Sequence, residues 1–186
     1  RYCAQAANLR RMTSPNLKIS TNHFAFFAAI LVRLGTLFGV REDVELGLAV
    51  ARRIAGHQHP DGYWPETHGP TTAYNFVTLD ALALVEEFTG RELFAEQVRR
   101  ALDFHIDWSW PDASSVETID QRVRWRPAVP LGTLYAFSRW PDGRWLAEWY
   151  FANSVFDFDR PVDGGVLGSL VSAYRYYRPG PIRPPE

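Results

Sequence analysis

The chain has 186 residues, with 20 Lys and Arg against 21 Asp and Glu, for a formal charge of −1. That length suits one domain with a sizeable core, and the balanced charge lacks the electrostatic footprint of a nucleic-acid or membrane-surface partner. Cys3 is the only cysteine, which excludes an intrachain disulfide and a cysteine-built zinc site and leaves the compartment open.

Residues 22–38 (NHFAFFAAILVRLGTLF) are apolar nearly all round, which predicts a helix buried on every side. The longest strictly apolar run, Phe24 to Val32, is too short to span a bilayer, so no transmembrane segment is expected. Gly39 suits the left-handed position that ends a helix. A one-sided helix follows near 43–56, with Val44, Leu48, Ala51 and Ala55 opposite Glu45, Arg52 and Arg53. The pattern then repeats. Residues 73–88 are apolar all round, Gly90 is the stop, and 92–108 places Phe94, Val98, Ala101, Leu102 and His105 opposite Glu96, Arg99, Arg100 and Asp103.

Five landmarks stand 51 residues apart: Gly39 and Gly90, Pro60 and Pro111, Asp61 and Asp112, Glu66 and Glu117, Thr67 and Thr118. A period of that size means stacked helical hairpins. The predicted fold class is therefore all-α, an α/α toroid of repeated helical hairpins, with the all-round apolar helices inside. Helical segments follow at 131–140, 144–153 and 166–177, for roughly three and a half hairpins, where a closed ring of six would need about 300 residues. The expectation is an incomplete ring over residues 1–178, with a Pro-rich tail or linker at 179–186. The opening at Arg1, without an initiator Met or signal-peptide pattern, fits a fragment or a trimmed domain.

In such an architecture the starts of the inner helices and the loops before them share one face. Residues 56–75 concentrate His57, His59, His68, Asp61, Tyr63, Trp64, Glu66, Tyr74 and Asn75 there. Pro60-Asp61-Gly62 reads as a turn and Thr71 or Thr72 as an N-cap. Tyr74 and Asn75 are polar on the first turn of a buried helix, so each needs a partner or a cavity. His23, next to Asn22, is the 51-residue counterpart of Tyr74. Trp108, Trp110 and Trp125 sit beside Glu117, Asp120, Arg122 and Arg124; flat rings bordered by charged groups suit sugars, whose faces are apolar and whose rims are hydroxyl. His57, His59 and His68 make no metal-ligand motif, and no metal or other cofactor is expected.

Asn22-His23-Phe24, Gln58-x-Pro60-Asp-Gly-Tyr-Trp-Pro-Glu66, Gly69-Pro-Thr-Thr-Ala-Tyr-Asn75 and Val116-Glu-Thr-Ile-Asp-Gln-Arg122 together resemble the toroid domain of heparinase II/III-like and alginate-lyase-like proteins. The resemblance spans roughly residues 20–125 and implies β-elimination on an acidic polysaccharide, usually beside a β-domain that is missing from this chain. It implies that Asn22 holds the uronate carboxylate, that His23 and Tyr74 are the acid/base pair, and that Arg122 or Arg124 supplies positive charge. Tyr63, Trp64, Glu66, His68, Asn75, Trp110, Glu117, Arg124 and Trp125 are the implied substrate contacts.

Three other readings stay open. Gln58-x-x-x-Gly62-x-Trp64 resembles the glutamine-tryptophan motif of terpene cyclases and prenyltransferases, with Asp157 and Asp159 as the nearest acids. Asp61, Glu66, Asp112 and Glu117 could supply the paired carboxylates of a glycoside hydrolase. A non-catalytic sugar-binding fragment is the fourth.

Overall fold

The computed structural model describes residues 7–8, 21–66, 70–111, 115–116, 134–153 and 164–185. Residues 7–8 are helical, and from residue 21 on the described helices are α1 (Thr21–Phe38), α2 (Arg41–Ala55), α3 (Thr72–Thr89), α4 (Ala95–Asp107), α5 (Leu134–Phe137), α6 (Pro141–Asn153) and α7 (Gly164–Tyr176). Outside the helices Ser109 and Ser115 form an isolated antiparallel bridge. The all-α expectation holds, and each of the first four helices lies within three residues of its predicted bounds.

The helix ends follow local chemistry. Gly39 and Gly90 have φ of 68° and 63°, the left-handed conformation that costs glycine least. Thr71 caps α3, its side chain accepting from Tyr74 N–H at 2.9 Å. Glu42 and Asp43 open α2 and Arg52 and Arg53 close it, matching the helix dipole.

α1 packs on both α2 and α3, α3 also meets α2 and α4, and α5 links α4 to α6 and α7. Small residues bring α1 and α2 close: a Cβ on Gly47 would lie 2.8 Å from Ala28 O, and one on Gly35 2.9 Å from Val40 O. The core runs through Ala28, Val32, Ala51, Leu79, Leu82, Val85, Val98, Leu102, Phe137 and Leu146. α3 is buried on most sides, as its sequence predicts. α1 is not. It leaves Ile30, Leu37 and Phe38 exposed, Leu37 by 69%, which corrects the expectation of burial all round. Moreover, with its small polar residues counted in, the 18-residue α1 has a mean hydropathy of 1.3 and by length and composition could cross a membrane. Here it packs against two helices.

The Pro-rich close of the chain is non-helical, as expected, yet it is bonded to the body. Arg144 Nε donates to Pro181 O at 2.7 Å and its Nη1 to Ser138 O at 2.6 Å. Arg178 N–H donates to Ser138 Oγ at 2.8 Å, and Arg183 N–H to Pro141 O at 3.1 Å. The segment is a strap along α5 and α6.

Candidate functional site

The loop between α2 and α3 is organised by two amides. His59-Pro60-Asp61-Gly62 closes a turn through Gly62 N–H to His59 O at 2.9 Å, with His59 N–H donating to Tyr63 O at 2.7 Å. Gln58 Nε2 donates to Gly62 O at 3.0 Å and to Gln97 O on α4 at 2.8 Å, while its Oε1 accepts from Arg100 Nε at 3.1 Å. Only glycine fits position 62: φ is 90°, and a Cβ would fall 2.0 Å from Arg100 O. Trp64 is 1% exposed and donates its ring N–H to Ile54 O at 2.8 Å.

Asn75 ties the same loop to α3. Its Oδ1 accepts from Trp64 N–H at 3.1 Å, and its Nδ2 lies 3.1 Å from His105 Nε2 on α4. A backbone N–H can only donate, so the amide orientation follows, and His105 Nε2 must be the acceptor. His105 is fully buried and stacked on Phe76 with ring centroids 3.6 Å apart. Burial lowers its pKa from 6.5 to about 3, so the ring is neutral with its proton on Nδ1.

These contacts correct two of the expected substrate residues. Trp64 is a core anchor rather than a sugar platform, because its ring has no open face. Asn75 spends its amide inside the protein. The Gln58-x-x-x-Gly62-x-Trp64 motif is thereby accounted for as a loop clamp. Among the described residues no three His, Cys, Asp or Glu side chains gather as metal ligands; His59 Nδ1 faces Asp61 Oδ2 at 3.3 Å, and His68 lies outside the described residues.

The residues at the starts of α1 and α3 do share a neighbourhood. Thr21 Oγ1 donates to Pro65 O at 3.4 Å, so α1 begins at the same loop that Asn75 holds to α3. Both helices therefore leave that loop in the same sense. Asn22 is buried, 3% exposed, with its Oδ1 accepting from His23 N–H at 2.8 Å. His23 is exposed and Tyr74 half-buried. Tyr63 is half-buried, stacked on His59 at 4.5 Å and tilted against Phe104 at 5.5 Å. Glu66 is half-buried and Trp110 is 54% exposed. His68, Glu117, Arg122, Arg124 and Trp125 lie outside the described residues, as do Asp112, Asp157 and Asp159.

Sequence reasoning missed a second polar group at the far end of α3. Glu86 Oε1 accepts from the backbone N–H groups of Leu93 and Phe94, both at 2.7 Å, and Oε2 accepts from Arg139 Nη2. Asp80 lies on the same helix; burial, then the neighbouring Glu87 charge, raises its pKa to about 6. The available signal was three acids in a segment otherwise apolar all round. Searched against protein-family models, curated proteins and solved structures, the chain matches none.

Proposed function

We propose that the end of the fold where α1 and α3 begin acts on a uronate-containing polysaccharide by β-elimination, as an arc of an α/α toroid. The observation that carries this reading is the shared anchoring of the two helix starts. Thr21 to Pro65 and Asn75 to Trp64 hold both to one loop, with exposed His23 and half-buried Tyr74 on neighbouring first turns. The arc form is supported by the exposed apolar side chains of α1 and of α7 (Leu167, Val171, Tyr174), edges against which further hairpins would stack.

In the reaction, one of the His23 and Tyr74 pair takes the proton from the carbon beside the uronate carboxylate. The electron pair left behind forms the new double bond as the bond to the glycosidic oxygen breaks, and the other member protonates that oxygen. The amide of Asn22 and the guanidinium of Arg122 or Arg124 stabilise the dianionic intermediate. Tyr63, Glu66 and Trp110 remain substrate contacts; Trp64 and Asn75 keep the loop in place. The polysaccharide is the partner, and no cofactor enters the chemistry.

The test is Tyr74→Phe in the full-length protein, followed with polyuronate substrates by the ultraviolet absorbance of the unsaturated product. We expect turnover to fall by about 100-fold or more with thermal stability nearly unchanged, because only one hydroxyl is deleted. Products without that absorbance would indicate hydrolysis. Binding without turnover in the wild type would leave a sugar-binding module.

A further inference from the structure

α6 and α7 border a cavity of about 700 Å³ that plays no part in the β-elimination reading. α6 supplies Glu148 and Phe151, and Leu170, Ala173, Tyr174 and Tyr177 form the facing wall. Those four stand at i, i+3, i+4 and i+7, one face of a helix, which Tyr177 continues through its N–H to Ala173 O at 3.0 Å. Leu167 and Val171, at the outer edge of α7, lie roughly a quarter turn around the helix from that face.

Most of this wall is apolar or aromatic, and it is open. Phe151 is 55% and Tyr174 92% exposed. Single exposed rings are ordinary, but rings gathered around a concavity of this size are the usual lining of a small-molecule site. Among the described residues Glu148 carries the single charge of the wall. Its Oε1 accepts from the Tyr177 hydroxyl at 2.8 Å, which takes one of about four acceptor positions on a carboxylate. Burial, then Glu148, pushes the Tyr177 hydroxyl up to about 12, so it stays protonated and keeps donating. The neighbouring guanidinium groups are engaged elsewhere. Arg144 donates to Ser138 O and Pro181 O, Arg178 to Glu92, and Arg175 stands over the Tyr176 ring.

We propose that this cavity binds a small organic amine in its protonated form, with the ammonium at Glu148 and an aromatic or alkyl body against Phe151, Leu170 and Tyr174. The ammonium N–H groups donate to the acceptor positions that Tyr177 leaves on the carboxylate. Cations are also drawn to aromatic rings, and three of them border the cavity together with the acid. An anion is repelled by the Glu148 charge, and a neutral analogue gains the apolar contact alone. The volume admits a body of one or two rings. Neither His23 nor Tyr74 is on this wall, so the site stands or falls apart from the lyase reading.

The full chain is titrated with phenethylammonium to about 20 mM, which detects a site as weak as ~5 mM, while backbone amide shifts are followed. 2-Phenylethanol and phenylacetate serve as the neutral and anionic counterparts of similar shape. We expect saturable shifts at Ala147, Glu148, Ala173 and Tyr177 with the amine, binding about threefold or more weaker for the alcohol, and weaker still for the acid. Glu148→Gln should bring the amine down to the affinity of the alcohol. Tyr174→Ala, at an exposed position, should weaken both, and Tyr74→Phe should change neither. Three results overturn the proposal: no saturable shift from folded protein, alcohol or acid binding as tightly as the amine, or an undiminished preference for the amine in Glu148→Gln.

Discussion

The two ends of α3 solve the same problem by different means. At its start, the neutral side chains of Gln58, Trp64, Asn75 and His105 fasten the preceding loop, Gln58 also accepting from the Arg100 guanidinium, while the buried Thr72 hydroxyl is left without a partner. At its end, Glu86 and Arg139 fasten the following loop with full charges, and atoms beside them remain unpaired. A neutral network can be completely satisfied within the protein at little desolvation cost. A charged one demands more partners than nearby backbone supplies. The first arrangement pairs its groups with one another, and the second leaves Tyr135 and Arg139 atoms buried without a hydrogen-bond partner.

The largest expected effect comes from breaking the charged end. Glu86→Ala strands the Arg139 guanidinium and releases the N–H groups of Leu93 and Phe94 that open α4. We expect a loss of about 3–5 kcal/mol in denaturant unfolding. A loss below about 1 kcal/mol would mean that this pair is solvated rather than buried. Next comes the neutral end. Gly62→Ala places a methyl against Arg100 O at a φ of 90° and should cost about 3 kcal/mol. Unchanged stability would show that the turn can rearrange and that the Gln58 clamp is not rigid.

Effects of pH come last, and here His105, beside the start of α3, and Asp80, at its middle, have opposite signs. His105 has a folded pKa of about 3 against 6.5 ordinarily, so below about pH 6.5 the unfolded chain takes up a proton that the native state refuses. Its contribution to stability is lost as pH falls from there toward 3. Asp80 is raised from 3.8 to about 6, so the native state is protonated first, and acidification between about 6 and 4 is stabilising. Asp80→Asn should therefore raise stability at pH 7 by about 3 kcal/mol and steepen the loss on acidification toward pH 5. Parallel melting curves for variant and wild type across that range would remove Asp80 from the account.

What the sequence by itself determined is the local order. Apolar periodicity set the first four helices, Gly39 and Gly90 ended two of them, Thr71 capped α3, and Pro60-Asp61-Gly62 made a turn. These depend on neighbours a few residues away, which any reading along the chain contains. The tertiary structure decided which groups spend their chemistry inside. Trp64 and Asn75 look like binding residues in a polar loop, yet Ile54 O and His105, ten and thirty residues away, take up their hydrogen bonds. α1 and α3 look equally apolar, yet α3 is enclosed on most sides while α1 keeps Leu37 and Phe38 at the surface. Asp80, Glu86 and Glu87 read as interruptions of an apolar helix until Tyr135 and Arg139 arrive beside them from fifty residues downstream. Burial and pairing belong to the assembled chain, because a side chain's partner is set by which helix packs next to it and not by which residue precedes it.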